Sequence, residues 1–253
     1  MDKYVFITGA TSGIGKACAQ EFAKNGFHLI ITGRRKERLV ELQQELTQFG
    51  VDVQCLHFDV RDLDAVKTAI LSLSEATKQK IAILINNAGL AVGREPIEMG
   101  DIDDWNRMID TNIKGLLYVS KEVIPILKQN KAGHIFNIGS IAGKEVYPMG
   151  NVYCASKHAV DALSKAMRID LVNEGIKVTN IAPGAVETEF SLVRFKGDQA
   201  KADATYNGFE PLIAQDIAET IYFVATRPQH VTINDLVIMP TAQASAVVFH
   251  KKQ

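Results

Sequence analysis

Thr8-Gly9-Ala10-Thr11-Ser12-Gly13-Ile14-Gly15 follows a short apolar run, Tyr4-Val5-Phe6-Ile7, and leads into a segment with helical periodicity. Glycines at 9, 13 and 15 let the chain turn tightly and bring bare backbone close to a ligand. A helix starting there offers free N–H groups and the positive end of its dipole, which suits a pyrophosphate. The spacing, G-x-x-x-G-x-G, differs from the common G-x-G-x-x-G dinucleotide fingerprint. A strand before and a helix after still point to a dinucleotide-binding turn, with Gly9, Ala10, Thr11, Ser12, Gly13, Ile14 and Gly15 as its cradle.

Working outward, apolar runs rich in β-branched residues recur at 4–8, 27–32, 52–57, 81–86, 134–139, 176–181 and 235–239. Helical periodicity fills 17–25, 37–48, 63–74, 105–128, 152–173 and 215–225. Near-continuous apolar strands alternating with amphipathic helices predict an α/β fold, a Rossmann-type doubly wound parallel sheet of seven strands. The 253 residues, 47% of them apolar, suit one core, and no linker or repeat divides them. The expectation is a single domain over 1–253. One stretch, 188–208, mixes charge, glycine and aromatics after the sixth strand, and it reads as a lid over a small-molecule substrate.

Charge narrows the partners. Basic and acidic side chains nearly balance, 28 against 29, so neither nucleic acid nor an anionic membrane surface is expected. No apolar run is long enough to span a bilayer. Cys18, Cys55 and Cys154 are scattered, and the six histidines show no metal-ligand spacing, so no metal is expected. The first residues show no charged region followed by an apolar one. With reduced thiols, this gives the expectation of a cytoplasmic protein.

The second strand addresses the cofactor. It ends Ile31-Thr32-Gly33-Arg34-Arg35, without the acid that holds a ribose 2′-hydroxyl in NAD enzymes. The planar fork of arginine pairs well with a phosphate dianion, so Arg34 and Arg35 predict NADP through its 2′-phosphate.

Tyr153 and Lys157 stand at i and i+4 at the start of a strongly helical segment, so they share a face. An ammonium beside a tyrosine favours the phenolate, which makes Tyr153 a general acid/base in reach of neutral pH. Ser140 follows the fifth strand, at a carboxyl end where ligands bind in such sheets, and can hydrogen-bond a carbonyl oxygen. Asn86-Asn87-Ala88-Gly89 follows the fourth strand in the same way. Asn112 falls inside a helical segment, where it can bend the helix or hold a water.

These motifs, TGATSGIG at 8–15, NNAG at 86–89, Asn112, Ser140 and YCASK at 153–157, resemble in order and spacing the short-chain dehydrogenases/reductases. The resemblance spans essentially the whole chain. It implies a catalytic centre of Ser140, Tyr153 and Lys157, with Asn112 supporting a water relay. It also implies adenine contacts from Asp59 and Val60, and ribose contacts from Asn87, Ala88, Gly89 and, at the nicotinamide, Tyr153 and Lys157. Pro183, Gly184, Val186 and Thr188 would then run along the nicotinamide carboxamide. A homotetramer is the family's usual assembly, through helices near 105–128 and 152–173.

A narrower resemblance, in Thr32-Gly33-Arg34-Arg35 and in Glu189-Phe190-Ser191-x-Val193-Arg194-Phe195-x-Gly197-Asp198, is to the NADP-dependent 3-hydroxy acid dehydrogenases. It implies serine, allo-threonine or 3-hydroxypropionate/malonic semialdehyde as substrate. Ser140 and Tyr153 would meet the reacting oxygen, and Arg194, with Lys196 as a weaker candidate, the carboxylate. Lys144, Glu145 and Met149, in the loop 143–150, are expected to set size selectivity, and 244–249 to reach a neighbour or the active site. The alternatives are a reductase of another carbonyl, such as a 3-oxoacyl thioester or a sugar, and an NADP-binding sensor without turnover.

Overall fold

The computed structural model describes residues 2–252. The first strand, β1 (Tyr4–Ile7), is buried along its whole length. Four consecutive buried apolar residues belong in the middle of a sheet covered on both faces. The phosphate loop leads to α1 (Gly13–Lys24), followed by β2 (His28–Gly33), α2 (Lys36–Thr47) and β3 (Val53–His57). The chain crosses back through α3 (Leu63–Leu71) and the short α4 (Glu75–Lys78) to β4 (Ile81–Asn86), on the other side of β1. Helices α5 (Ile102–Ile109) and α6 (Leu116–Gln129) lead to β5 (Gly133–Ile138), and α7 (Asn151–Leu171) leads to β6 (Ile176–Pro183). Two short strands, β7 (Val186–Glu187) and β8 (Leu212–Ile213), frame α8 (Glu189–Arg194) and α9 (Gln199–Ala204). Helix α10 (Ala214–Ala225) and β9 (Asp235–Ile238) follow.

The main sheet has the order β3-β2-β1-β4-β5-β6-β9, and every neighbouring pair is parallel. This is the seven-stranded doubly wound sheet that the alternating pattern predicts. Successive side chains go to opposite faces. Val5 and Ile7 join one core with Phe22, Leu42 and Ile221, so α1, α2 and α10 cover that face. Tyr4 and Phe6 join the other with Val66, Val123 and Val160, beneath α3, α6 and α7. The direction of winding reverses between β1 and β4, and a crevice opens there at the strands' carboxyl ends.

Two elements differ from the sequence pattern. The expected single helix over 105–128 is α5 and α6 joined through a π-helical turn, Asp110–Gly115. Such a turn inserts one residue into the helical ladder and commonly marks a functional site. It ends on Gly115, where a Cβ would lie 2.6 Å from Val60 Cγ2. The stretch 188–208 is α8 and α9 joined by a tight turn, with Lys196 and Gly197 at positive φ.

The layer between α1 and the sheet can be tested by truncation. Phe22 is fully buried, and its ring lies 5.2 Å from Phe27 and 5.5 Å from Tyr222, edge to face in both cases. Phe22→Ala should cost about 3–5 kcal/mol in urea denaturation, and a cost below about 1 kcal/mol would place this contact outside the folding core.

Candidate active site

A cavity of about 980 Å³ occupies the crevice between β1 and β4 and extends under α8. That volume suits a dinucleotide with a small substrate beside it. Every residue singled out above for catalysis, cofactor or substrate lines it except Lys196, treated below, and Ala10, Gly15 and Asn112, which are buried in its wall.

The phosphate cradle depends on close backbone contact. Gly9 adopts φ +65°, and a Cβ on Gly15 would lie 2.4 Å from the Gly9 carbonyl oxygen. Larger residues cannot take either place without moving the turn. Asn87 braces it from the neighbouring strand, donating to the carbonyl oxygens of Thr8 at 2.9 Å and Gly9 at 3.1 Å. Ser12 precedes α1 but makes no cap with its side chain. Its hydroxyl instead accepts from Arg35 Nη2 at 2.8 Å. The first N–H groups of α1 thus receive no side-chain oxygen from Ser12, and Gly13 and Ile14 face the cavity.

Arg35 also donates to Thr11 Oγ1, from Nε at 3.1 Å and Nη2 at 2.9 Å. Arg34 reaches Asp59 at 3.5 Å, and Arg61 reaches it at 2.8 Å. Burial alone would raise the Asp59 carboxyl, but hydrogen bonds from Arg61 and the two guanidinium charges hold it below its ordinary value. The arginines, Asp59 and Val60 together close the outer end of the cavity. His57 plays a local part there, with Nε2 3.1 Å from the Arg34 carbonyl oxygen.

At the inner end, Tyr153 and Lys157 lie on the first turns of α7, 8% and 6% exposed. Lys157 Nζ donates to the Ile138 carbonyl oxygen at 2.8 Å and stands 5.9 Å from the Tyr153 ring centroid. Burial lowers the Lys157 ammonium to about 8. Ser140 caps a short 3-10 turn, Ile141–Gly143, accepting from the Ala142 N–H at 3.1 Å. Asn112 Oδ1 accepts from the Leu90 N–H at 2.8 Å, while Nδ2 donates to the Leu90 carbonyl oxygen at 2.8 Å and to Ser156 Oγ at 3.0 Å.

The phenol of Tyr153 departs from the sequence expectation. Burial pushes its pKa up, and Tyr147 adds to the rise. Arg194 and a hydrogen bond with Ser140 oppose it. The reason is geometric. The Lys157 ammonium is drawn to the strand carbonyl, while the Arg194 guanidinium carbon lies 5.0 Å over the Tyr153 ring.

Arg194 ends α8 among aromatic rings, 5.5 Å from the Tyr147 centroid and 5.8 Å from that of Phe190. Its Nη2 donates to the Tyr147 hydroxyl. Its Nε is buried without a hydrogen-bond partner among the described residues. The guanidinium is thus part-buried beside Tyr153, with one N–H left without a partner among the described residues.

Other expectations need correction. Lys196 points away from the cavity to Asp104 at 2.6 Å and Asp101 at 3.7 Å, so it ties α8 to α5 and meets no ligand. Lys144 pairs with Asp161 on α7 and Asp235 on β9, so it fastens the Ser140 turn to the sheet. Neither Glu145 nor Met149 faces the cavity; from that loop Tyr147 and Pro148 line it. The segment 244–249 does reach the active site, through Ala246, Val247 and Phe249. Gln243 anchors it, accepting from the Ala185 N–H at 2.8 Å. Tyr147 and Gln243 escaped the sequence reading because aromatic and amide residues in loops carry no motif, and Phe190 stood in the quoted stretch without a role.

The profile of the short chain dehydrogenase family matches residues 3–198. Sulfoacetaldehyde reductase 2 of Chromohalobacter salexigens is 50% identical over 245 residues, covering 96% of each chain. The NADP-dependent 3-hydroxy acid dehydrogenase YdfG of Escherichia coli strain K12 is 45% identical over 243 residues, again 96% of each. Among solved structures, the closed form of serine dehydrogenase complexed with NADP+ superposes with a TM-score of 0.93 at 44% identity. It covers 99% of this chain and 100% of that one.

The buried lysine sets a pH dependence. Its pKa falls from an ordinary 10.5 to about 8 on folding. Below pH 8 it is charged in both states, and the folded state bears the full cost of burying that charge. Between 8 and 10.5 only the folded state has released the proton, so stability from this group rises with pH. Lys157→Met should therefore be most favourable relative to wild type below pH 8 and lose that advantage towards 10.5. Denaturation at a series of pH values checks this, and a constant difference would contradict it.

Proposed function

Because the chain belongs to the short chain dehydrogenase family, we propose that it is an NADP-dependent oxidoreductase acting on a small hydroxy compound that carries an anionic group, a 3-hydroxy acid first. The close relatives named above carry the coarser part of this reading, an NADP-dependent enzyme acting on a CH–OH group. The position of Arg194 supports the finer part.

The residues present fit the cofactor. The glycine cradle leaves room only for bare backbone, α1 presents its N-terminus, and Arg34 and Arg35 stand where the 2′-phosphate of an adenosine would lie. Bound NADP would supply the hydride acceptor, and NADPH the donor.

This chain's own residues handle the proton and the substrate. The Ser140 hydroxyl orients the reacting oxygen. Tyr153 exchanges the proton with that oxygen. In oxidation the phenolate form of Tyr153 takes the hydroxyl proton as the carbon loses hydride; in reduction the phenol gives its proton to the carbonyl oxygen and is left as the phenolate. Burial keeps the phenol protonated at neutral pH, which serves the reductive direction. Lys157 holds the floor of the site through the Ile138 carbonyl oxygen. Both hydrogens of the Asn112 amide are already committed, so its side chain acts by positioning. Arg194, steadied by Tyr147, takes the anionic group and thereby fixes which carbon faces the nicotinamide. Residues 188–208 form the lid that carries Arg194 and closes over the substrate.

A sulfonate is a second reading of the same anion, favoured by the 50% identity to a sulfoacetaldehyde reductase. A guanidinium with an unused donor serves either oxyanion. The setting we propose is a cytoplasmic homotetramer. Exposed Ile109 on α5, Leu117 on α6, Ile169 on α7 and Val172 just beyond it are the apolar side chains offered to a second copy. Among the described residues no helix is long and apolar enough to cross a membrane.

Arg194→Met tests the anion reading. Loss of one charged hydrogen-bonding partner is worth about 1.5–3 kcal/mol. The variant should lose roughly ten- to a hundredfold in kcat/KM on 3-hydroxy acids or hydroxysulfonates while its turnover of uncharged alcohols stays close to wild type. Equal losses on charged and uncharged substrates would sink this role for Arg194.

A further inference from the structure

Glu189 opens α8 and has no part in the reaction described above. Its carboxylate spans two arginines. Oε2 accepts from Arg35 Nη1 at 3.0 Å, and Oε1 accepts from Arg38 Nη1 at 2.8 Å. Arg35 is at the same time bonded to Thr11 and Ser12 of the phosphate loop. Thr188, just before, accepts from the Phe190 N–H and packs against the phosphate loop, 3.4 Å from where a Cβ on Gly13 would stand. The first turn of the lid is therefore fastened by a carboxylate onto the guanidinium at the end of β2. Burial alone would raise the Glu189 carboxyl, but the hydrogen bonds from Arg35 and Arg38 lower it overall, so it is firmly anionic at neutral pH.

We propose that Glu189 is a specificity-determining residue that holds, from the lid, the cationic seat of the cofactor's 2′-phosphate, so that NADP(H) must displace a carboxylate to bind. The inference rests on the reading of Arg35 as a 2′-phosphate ligand. Arg38 becomes the second arm of that seat.

The energetics favour displacement at a cost. The three side chains are 42%, 44% and 46% exposed, so each ion pair with Glu189 is weak. A phosphate carries nearly twice the charge and three strong acceptors, and it outcompetes one carboxylate. Its net affinity is reduced by the pairs it breaks. A 2′-hydroxyl behaves oppositely. It carries no charge to evict Glu189, and a carboxylate at this place can accept its hydrogen bond, as the acid at the strand tip does in NAD enzymes. Glu189 thus narrows the preference for NADP(H) from the lid side, against the arginines that create it.

The test is a titration of NADPH and of NADH into wild type and Glu189→Gln at one ionic strength, followed by the fluorescence of the bound nicotinamide. Wild type should bind NADPH more tightly than NADH. The variant should bind NADPH about three- to tenfold more tightly than wild type does, the worth of two exposed ion pairs. Its affinity for NADH should be unchanged or weaker. If wild type discriminates but the variant binds NADPH no more tightly, or gains equally for both nucleotides, the role of Glu189 is overturned and the reading of Arg35 stands. If wild type binds the two nucleotides equally, the 2′-phosphate reading falls, and this inference with it.

Discussion

The amide of Asn112 accepts from the Leu90 N–H and donates to the Leu90 carbonyl oxygen and to Ser156 Oγ. Ser156 Oγ in turn donates to the Tyr153 carbonyl oxygen at 2.8 Å. One buried side chain therefore joins the loop after β4, the π-helical turn and the first turn of α7. A regular helix would carry residue 112 past this point, and the extra residue of the π turn aims it inward. Asn112 is 2% exposed, so removing its amide would leave buried donors and acceptors unpaired. The placement of Tyr153 and Lys157 over the crevice depends on this join.

Charge then divides the cavity into two ends. The outer end holds Arg34 and Arg35 beside an acidic counterweight in Asp59, near solvent. The inner end holds Lys157 and Arg194 among Tyr147, Tyr153 and Phe190, where aromatic walls exclude water and make each charge count for more. Positive charge is thus placed twice, exposed at the outer end and partly buried at the inner end. Residues 188–208 touch both, through Glu189 at one side of α8 and Arg194 at the other.

Much of this was legible in the residues themselves. The alternation of apolar strands and periodic helices identified the sheet, because burial on both faces leaves a pattern that needs no tertiary detail. The glycine turn, Ser140, Tyr153 and Lys157 were legible because each follows a strand end or shares a helix face. Side-chain partners were not. Lys144 and Lys196 looked free to face a substrate, yet each is held by carboxylates that lie far away in sequence, Asp161 and Asp235 for one, Asp101 and Asp104 for the other. The state of the Tyr153 phenol likewise depends on burial first and then on Tyr147 and Arg194 around it, the latter brought over the ring from 41 residues away. The π turn was hidden because its residues keep a helical pattern, and the close approach of Gly115 to Val60 is visible only in three dimensions.

One cavity joins Arg34 and Arg35 at its outer end to Arg194 and Tyr153 at its inner end. The most direct measurement is the change in absorbance at the NADPH band with purified protein and a matched panel. The panel pairs 3-hydroxypropionate, L-serine, L-allo-threonine and 2-hydroxyethanesulfonate with uncharged alcohols of similar size, each with NADP and with NAD. Turnover confined to the anionic compounds and dependent on NADP is the predicted result. Turnover of the uncharged alcohols at equal efficiency, or with NAD as readily as NADP, would contradict it.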